Sequence, residues 1–205
     1  MNKRLIVALE KYGIQEEAIL HIVDDIKDNN TQMLLKIDSL YRSFRQNEIY
    51  LIPLSCDELI EKSIQKFKKK YQDGRVHVFG ASHLFLLGDI TYLSEAFYNL
   101  LTNGYEAEME KNSGSQAPLL IHITEERLHI LFTITDYGIG ISSLNKKKIL
   151  EPFFSSKNSL NSWGMGINYS MKIIKDHMGS MKYESHMGCT SVYVTLPKYK
   201  GKSHE

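Results

Sequence analysis

Apolar and polar positions change rhythm once along this chain, near residue 72. Before that point the spacing is helical, with Leu34, Leu35, Ile37, Leu40, Tyr41 and Phe44 recurring ahead of the polar stretch Arg45-Gln46-Asn47. A second helix is predicted from Ser55-Cys56-Asp57-Glu58, which offers a capping hydroxyl and an acidic first turn. Leu59, Ile60, Ile64 and Phe67 form its apolar side, and Lys68-Lys69-Lys70 closes it where cations suit the helix dipole. Gly13 and Pro53 are the only Gly or Pro residues in this region.

From Val76 onward strands alternate with helices. Leu128, Ile130, Phe132 and Ile134 share one face of a period-two segment, and Leu119, Ile121 and Ile123 repeat the pattern before Glu125-Glu126. Residues 119–135 therefore read as a β-hairpin, and Val192, Val194 and Leu196 as a strand near the end. Residues 90–108 have helical spacing, with Leu93, Phe97, Leu100, Leu101 and Gly104 on one face. Another helix is expected after Gly164, with Ile167, Met171, Ile174 and Met178 inward and Gly179 as its stop. Residues 110–118 form a polar loop. These elements predict an α+β domain over residues 73–200, preceded by a helical segment over 1–72 and followed by a short tail, 201–205.

Composition narrows the function classes. Lys+Arg (25) and Asp+Glu (24) leave a net charge of +1, so no global basic excess argues for nucleic acid. Cys56 and Cys189 stand far apart and make no metal-type pair, which leaves them as buried or incidental thiols. No apolar run approaches the ~20 residues that span a bilayer, and the N-terminus lacks a signal-peptide pattern. The expectation is a cytoplasmic chain with no membrane contact of its own, or the intracellular part of a membrane-bound sensor.

Candidate chemistry lies in five short stretches. On the 90–108 helix, Glu95, Asn99, Asn103 and Glu106 fall together opposite the apolar face, as hard oxygen ligands for Mg²⁺ with nucleotide phosphates or as a solvated face. Asp136-Tyr137-Gly138-Ile139-Gly140-Ile141 follows a strand, so its aspartate can accept from an exocyclic amine while the glycines let backbone approach a ligand. Glu151 to Lys157 (EPFFSSK) pairs two aromatics with a lysine able to reach phosphate. Ser162-Trp163-Gly164-Met165-Gly166-Ile167 feeds a helix N-terminus, whose free N–H groups suit phosphate. Gly188-Cys189-Thr190 supplies a turn and a hydroxyl before the last strand. No Walker loop or G-x-G-x-x-G occurs.

In order and spacing, N-L-L-T-N-G-Y-E-A, D-Y-G-I-G-I, E-P-F-F-S-S-K, W-G-M-G-I and H-M-G-C-T-S resemble the five boxes of the histidine-kinase catalytic domain. That domain belongs to the GHKL ATPases and has the Bergerat fold, a two-layer α/β sandwich. The resemblance implies Asn103 as the Mg²⁺ ligand, with Asn99 supporting metal or phosphates. It implies Asp136 on the adenine amino group, with Gly138, Gly140 and Ile141 shaping that wall and Thr190 beside the base. Phe153 and Phe154 would anchor a lid over about residues 142–163, with Lys157, Gly164, Met165, Gly166 and Ile167 at the phosphates. It further implies dimerisation through the N-terminal helices and a response-regulator receiver domain as partner.

Three departures qualify the resemblance. Gly104 replaces an alanine, which weakens the helix by ~1 kcal/mol. Ser162 stands where a glycine is common. The acceptor pattern H-E-x-R-x-P-L is missing; His21, the sole histidine of the helical segment, precedes Ile22-Val23-Asp24-Asp25 and sits too near Asn103. The expectation is that the acceptor lies upstream of this chain or on another protein. Two other readings stand beside the kinase one. In an anti-sigma-factor serine kinase, Asn99 would bind Mg²⁺ and Glu95 would be the general base. In a degenerate module, ATP binding or docking alone would remain.

Overall fold

A computed structural model describes residues 49–111, 117–141, 166–186 and 188–200, with His21, Ile22, 24–26, 29, 30, Met33 and Ile37. These residues divide between two compact units, one holding the positions from 21 to 37 and the other those from 49 onward. In the first unit the described positions are helical. Ile22, Ile26, Met33 and Ile37 are each more than half exposed and share one side of a helix by their spacing.

The second unit runs β1 (Ile52–Ser55), α1 (Cys56–Lys70), β2 (Val76–Gly80), β3 (Phe85–Gly88), α2 (Ile90–Glu110), β4 (Leu119–Glu125), β5 (His129–Asp136), α3 (Gly166–Asp176), β6 (Ser180–His186) and β7 (Cys189–Pro197). Five strands form a mixed sheet in the order β2-β4-β5-β7-β6, and β1 pairs antiparallel with β3 in a small second sheet. The expected hairpin is β4–β5, in register with Ile121 opposite Ile134. Strand β2 joins β4 in parallel, a pairing that periodicity does not reveal.

One face of the sheet meets the helices. Leu119, Ile121, Ile123, Ile130, Phe132, Ile134, Val194 and Leu196 are buried there against Leu93, Phe97, Leu100 and Leu101 of α2. Phe97 meets Phe132 edge-on at 5.1 Å, the geometry aromatic quadrupoles favour. This is the two-layer α+β arrangement the sequence predicts. Leu128 departs from its expected face, because it lies in the β4–β5 turn and is exposed.

The expected boundary at 72/73 falls inside this unit. Ser55 caps α1 by accepting from the Glu58 N–H, and Cys56, Leu59, Ile60 and Phe67 enter the same core as α2. Burial, reinforced by Asp57, pushes the Cys56 thiol up to about 12, which keeps it an inert core group. Phe67, Tyr71 and Tyr105 then form an aromatic cluster between the two helices. Helix α1 therefore belongs to the second unit, because its apolar stripe is buried in that unit's core.

Helix α3 is turned from its predicted orientation. Ser170, Ile173 and Ile174 are buried, whereas Met178 is exposed and has a left-handed backbone (φ 57°). Met178 thus occupies the terminating position expected of Gly179. Gly179 serves close packing instead, since a Cβ there would sit 2.5 Å from the Thr195 carbonyl oxygen.

His177, fully buried, ties the end of α3 to the start of α2. Its Nδ1 lies 2.7 Å from the Ile173 carbonyl, which only accepts, so Nδ1 carries the proton. Nε2 then accepts from the Asp89 N–H at 3.0 Å, and Asp89 in turn caps α2. Burial lowers the His177 pKa, against opposing contributions from the Ile173 hydrogen bond and from Asp89 and Asp176. The unfolded chain therefore binds this proton more readily than the native one. Its contribution to stability is complete above about pH 6.5 and is lost as pH falls from there toward the depressed native value. Thermal unfolding between about pH 7 and pH 5 should accordingly show a shallower acid loss in His177→Gln than in the wild type. Parallel pH slopes would assign the acid loss to other groups.

Candidate functional site

Helix α2 carries the polar face that sequence assigned to metal and phosphate, and its neighbours split that face in two. Lys66 of α1 pairs with Glu95 at 3.0 Å. Glu106 accepts from the Tyr71 hydroxyl at 2.7 Å and meets Lys70 at 3.6 Å. Burial, then the hydrogen bond to Glu106, raise the Tyr71 pKa, so the phenol remains a donor. Both carboxylates are thus engaged by α1.

Asn99 and Asn103 instead approach the first residue of α3. A Cβ built on Gly166 would lie 3.8 Å from Asn103 Nδ2 and 3.9 Å from Asn99 Cβ. Asn103 Nδ2 is buried without a hydrogen-bond partner among the described residues. Leaving such a donor unpaired costs about 1–3 kcal/mol, a cost removed by an acceptor arriving at that position. Thr102 Oγ1, one residue earlier, is also buried without a partner among the described residues.

Asp136 closes β5 as a buried residue directly behind α2. Its Oδ1 accepts from the Gly138 N–H at 3.0 Å, which holds the glycine turn against the strand end. Two contacts with α2 are close, and the one at Gly138 demands glycine. A Cβ on Gly104 would approach Asp136 Cβ to 3.1 Å, and one on Gly138 would lie 2.5 Å from the Ala107 carbonyl carbon. The Ile139 N–H donates to Ala107 O at 3.2 Å across that gap. Gly140 has φ +73°, in the left-handed region that glycine favours.

Two residues that sequence reasoning missed clamp the same turn from the end of α2. Buried Glu108 accepts from the Tyr137 N–H, and Lys111 Nζ donates to the Tyr137 carbonyl at 2.7 Å. Their signal was weak, since both sit in a charged helix end of ordinary composition. Thr190 stands directly opposite Asp136 in the β5–β7 register, and both side chains are buried. Ser185, a third omission, lies across from Thr190 on β6 with its Oγ 3.1 Å from Thr190 Oγ1 and 2.7 Å from the Ile141 nitrogen. Nothing in its immediate sequence marks Ser185; only the β6–β7 pairing brings it here. Among the described residues, no group of His, Cys, Asp and Glu is placed to hold a metal.

Known proteins match this arrangement. A family profile described as "Histidine kinase-, DNA gyrase B-, and HSP90-like ATPase" matches residues 88–200, more than half of the chain. The chain belongs to this family. It is 24% identical over 200 residues to "Sensor protein RprX" of Bacteroides fragilis, covering 92% of this chain and 38% of that protein. Over 117 residues it is 33% identical to "Sporulation kinase B" of Bacillus subtilis, covering 56% of this chain and 26% of that protein. The chain therefore spans well under half the length of either relative. In fold it is similar to the mycobacterial sensor histidine kinase MprB, with a TM-score of 0.60 at 20% identity over 72% of this chain and 97% of that one. The catalytic domain of histidine kinase ThkA gives 0.60 at 22% identity, over 72% and 95%.

Membership in this ATPase family makes ATP the ligand to test against the site. An amide-bearing helix face, an unpaired buried donor and an adjoining helix N-terminus fit phosphate oxygens, and the Asn99 and Asn103 amide oxygens fit Mg²⁺ as hard donors. Asp136 and Thr190 fit an edge bearing an amino group. Gly166 and Ile167 open α3 as expected. The expected lid over about residues 142–163, with Phe153, Phe154 and Lys157, and the expected phosphate contacts Gly164 and Met165 lie outside the described residues.

The crowding around Gly104 separates stability from ligand recognition. In Gly104→Ala the gain in helix propensity, about 1 kcal/mol, opposes the contacts near 3 Å with Leu119 and Asp136. Global stability should change by less than about 1 kcal/mol, while ATP affinity falls because Asp136 is the group displaced. Chemical denaturation and nucleotide titration on one preparation check this; undiminished ATP affinity would remove the link between Gly104 and the base pocket.

Proposed function

We propose that this chain is the ATP-binding catalytic portion of a two-component sensor histidine kinase. The observation that carries the reading is the buried Asn103 Nδ2, unpartnered among the described residues and near the first residue of α3. Kinase and sensor names among the relatives support it. Asn103 holds Mg²⁺, and Asn99 supports the metal or the phosphates. Mg²⁺ supplies neutralisation of phosphate charge. Asp136 accepts from the adenine amino group, Gly138, Gly140 and Ile141 shape the wall beside it, and Thr190 lines the pocket. Gly164, Met165, Gly166 and Ile167 receive the phosphates, with Lys157 and the Phe153–Phe154 anchor contributed by the lid.

Positioning and electrostatics carry the reaction. A neutral imidazole nitrogen forms a bond to the γ-phosphorus as the bond to the β,γ-bridging oxygen breaks, and ADP departs with that electron pair. The phosphoryl group then passes to an aspartate of a response-regulator receiver domain. The acceptor histidine lies elsewhere than in the catalytic unit. A homodimer forms through the helical segment, supported by the exposed stripe Ile22, Ile26, Met33 and Ile37. Cytoplasmic placement is part of the proposal; among the described residues no helix is long and apolar enough to cross a membrane.

The serine-kinase reading assigns Glu95 as a general base and Asn99 as the metal ligand. The Lys66 ion pair speaks against the first role, because Lys66 occupies the carboxylate that would have to receive the substrate proton. Asn103→Ala should abolish Mg²⁺-dependent ATP binding without changing the unfolding profile. Retained binding there, with loss in Asn99→Ala, would establish the other register. Any phosphoprotein formed from labelled ATP should be acid-labile and base-stable, as a phosphoramidate is. An acid-stable product would identify serine as the acceptor, and binding without transfer would leave a docking module. Sedimentation should find a dimer, and a monomer would remove the pairing of the helical segments.

A further inference from the structure

Ser185 occupies a junction that the functional reading leaves unused. It is 4% exposed, and its single hydroxyl oxygen meets three groups. The Ile141 N–H donates to it at 2.7 Å. It lies 3.1 Å from the Cys189 carbonyl and 3.1 Å from Thr190 Oγ1. Glycine packing brings the turn onto this strand, since a Cβ on Gly140 would lie 2.9 Å from His186 O and 3.2 Å from Ser185 Oγ.

Hydrogen counting decides how these groups are oriented. A hydroxyl has one proton and two lone pairs. An amide N–H only donates, so Ile141 occupies one lone pair of Ser185. A carbonyl only accepts, so Cys189 takes the Ser185 proton. Thr190 can then complete the set only by donating to the remaining lone pair of Ser185. Its own proton is consumed, and toward the pocket Thr190 presents lone pairs alone. Asp136, directly opposite in the β5–β7 register, is an acceptor as well.

We infer that Ser185 is a specificity-determining positioning residue, which fixes the Thr190 hydroxyl as an acceptor so that the pocket selects a 6-amino purine over a 6-oxo purine. The inference rests on the reading of Asp136 and Thr190 as the base-recognition pair. Its physical basis is that a buried acceptor facing a carbonyl oxygen goes unpaired, whereas one facing an amino group does not. With Ser185 removed, the Thr190 proton is free to turn toward the base and satisfy a 6-oxo group.

The test compares ATP with ITP, which carries oxygen in place of the 6-amino group and a proton on N1. Mg²⁺-dependent affinities are measured by calorimetry for the wild type, Ser185→Ala, Ser185→Thr and Thr190→Val, with unfolding followed separately. The wild type should prefer ATP, and Ser185→Ala should narrow the ATP/ITP ratio by about five-fold, equivalent to one hydrogen bond. Ser185→Thr retains the hydroxyl and should restore the ratio. Equal loss of both nucleotides in Ser185→Ala, with the ratio unchanged, would overturn the inference and leave Ser185 a packing residue. Should Ser185→Ala not fold, Thr190→Val removes the oriented acceptor directly, and an unchanged ratio there overturns the inference equally. A wild type that binds neither nucleotide would instead refute the ATP reading itself.

Discussion

The structure depends on how closely the last turns of α2 approach the end of β5. Gly138 against Ala107 leaves no room for a Cβ, and Gly104 against Asp136 leaves room for one only if its neighbours shift. That approach drops the strand-end aspartate beside the helix that bears the asparagines. The candidate base-facing aspartate and the candidate phosphate-facing asparagines are thereby brought to one helix. The glycines weaken the helix and turn locally, and the close approach gives the site its dimensions. Glu108 and Lys111 then hold both peptide groups of Tyr137, so the turn is fixed by side chains of the same helix that it packs against.

Electrostatic partition follows from where the neighbouring helices lie. A single polar stripe on α2 would place two carboxylates beside incoming phosphates, a repulsive arrangement. Helix α1 removes that conflict by presenting Lys66, Lys70 and Tyr71 to Glu95 and Glu106. The asparagines, which carry no charge, remain on the side of α3. Desolvation sets the other polar features of the unit. Buried His177 stays neutral and can therefore both donate to α3 and accept from the start of α2, linking the two helices.

Several errors of the sequence reading share a cause. Helix α1 was grouped with the helical segment because periodicity identifies an apolar stripe and says nothing about which surface covers it. Met178 was placed on the inner face of α3 by spacing alone, whereas the chain has already left the helix there with a left-handed residue. Leu128 continued an alternating pattern past the point where the strand gives way to a turn. In the last two cases the pattern was real, and the end of the element decided the side chain's fate.

What the sequence determined by itself is the set of elements and the chemistry available to them. The alternation in 119–135, the spacing along 90–108 and the order of the five short stretches were enough for the α+β class, the ATPase family, and Asn99, Asn103, Asp136 and Thr190 as candidates. Tertiary structure decided which of those groups share a space and which are engaged elsewhere. Glu95 and Asn99 are one helical turn apart and share one polar face in the sequence pattern, yet Lys66 pairs with the first while the second approaches α3. Ser185 became visible only through strand register, which pairs residues by hydrogen-bond geometry between β6 and β7. Local sequence encodes propensity and periodicity, while burial, pairing and proton direction are properties of neighbours distant along the chain.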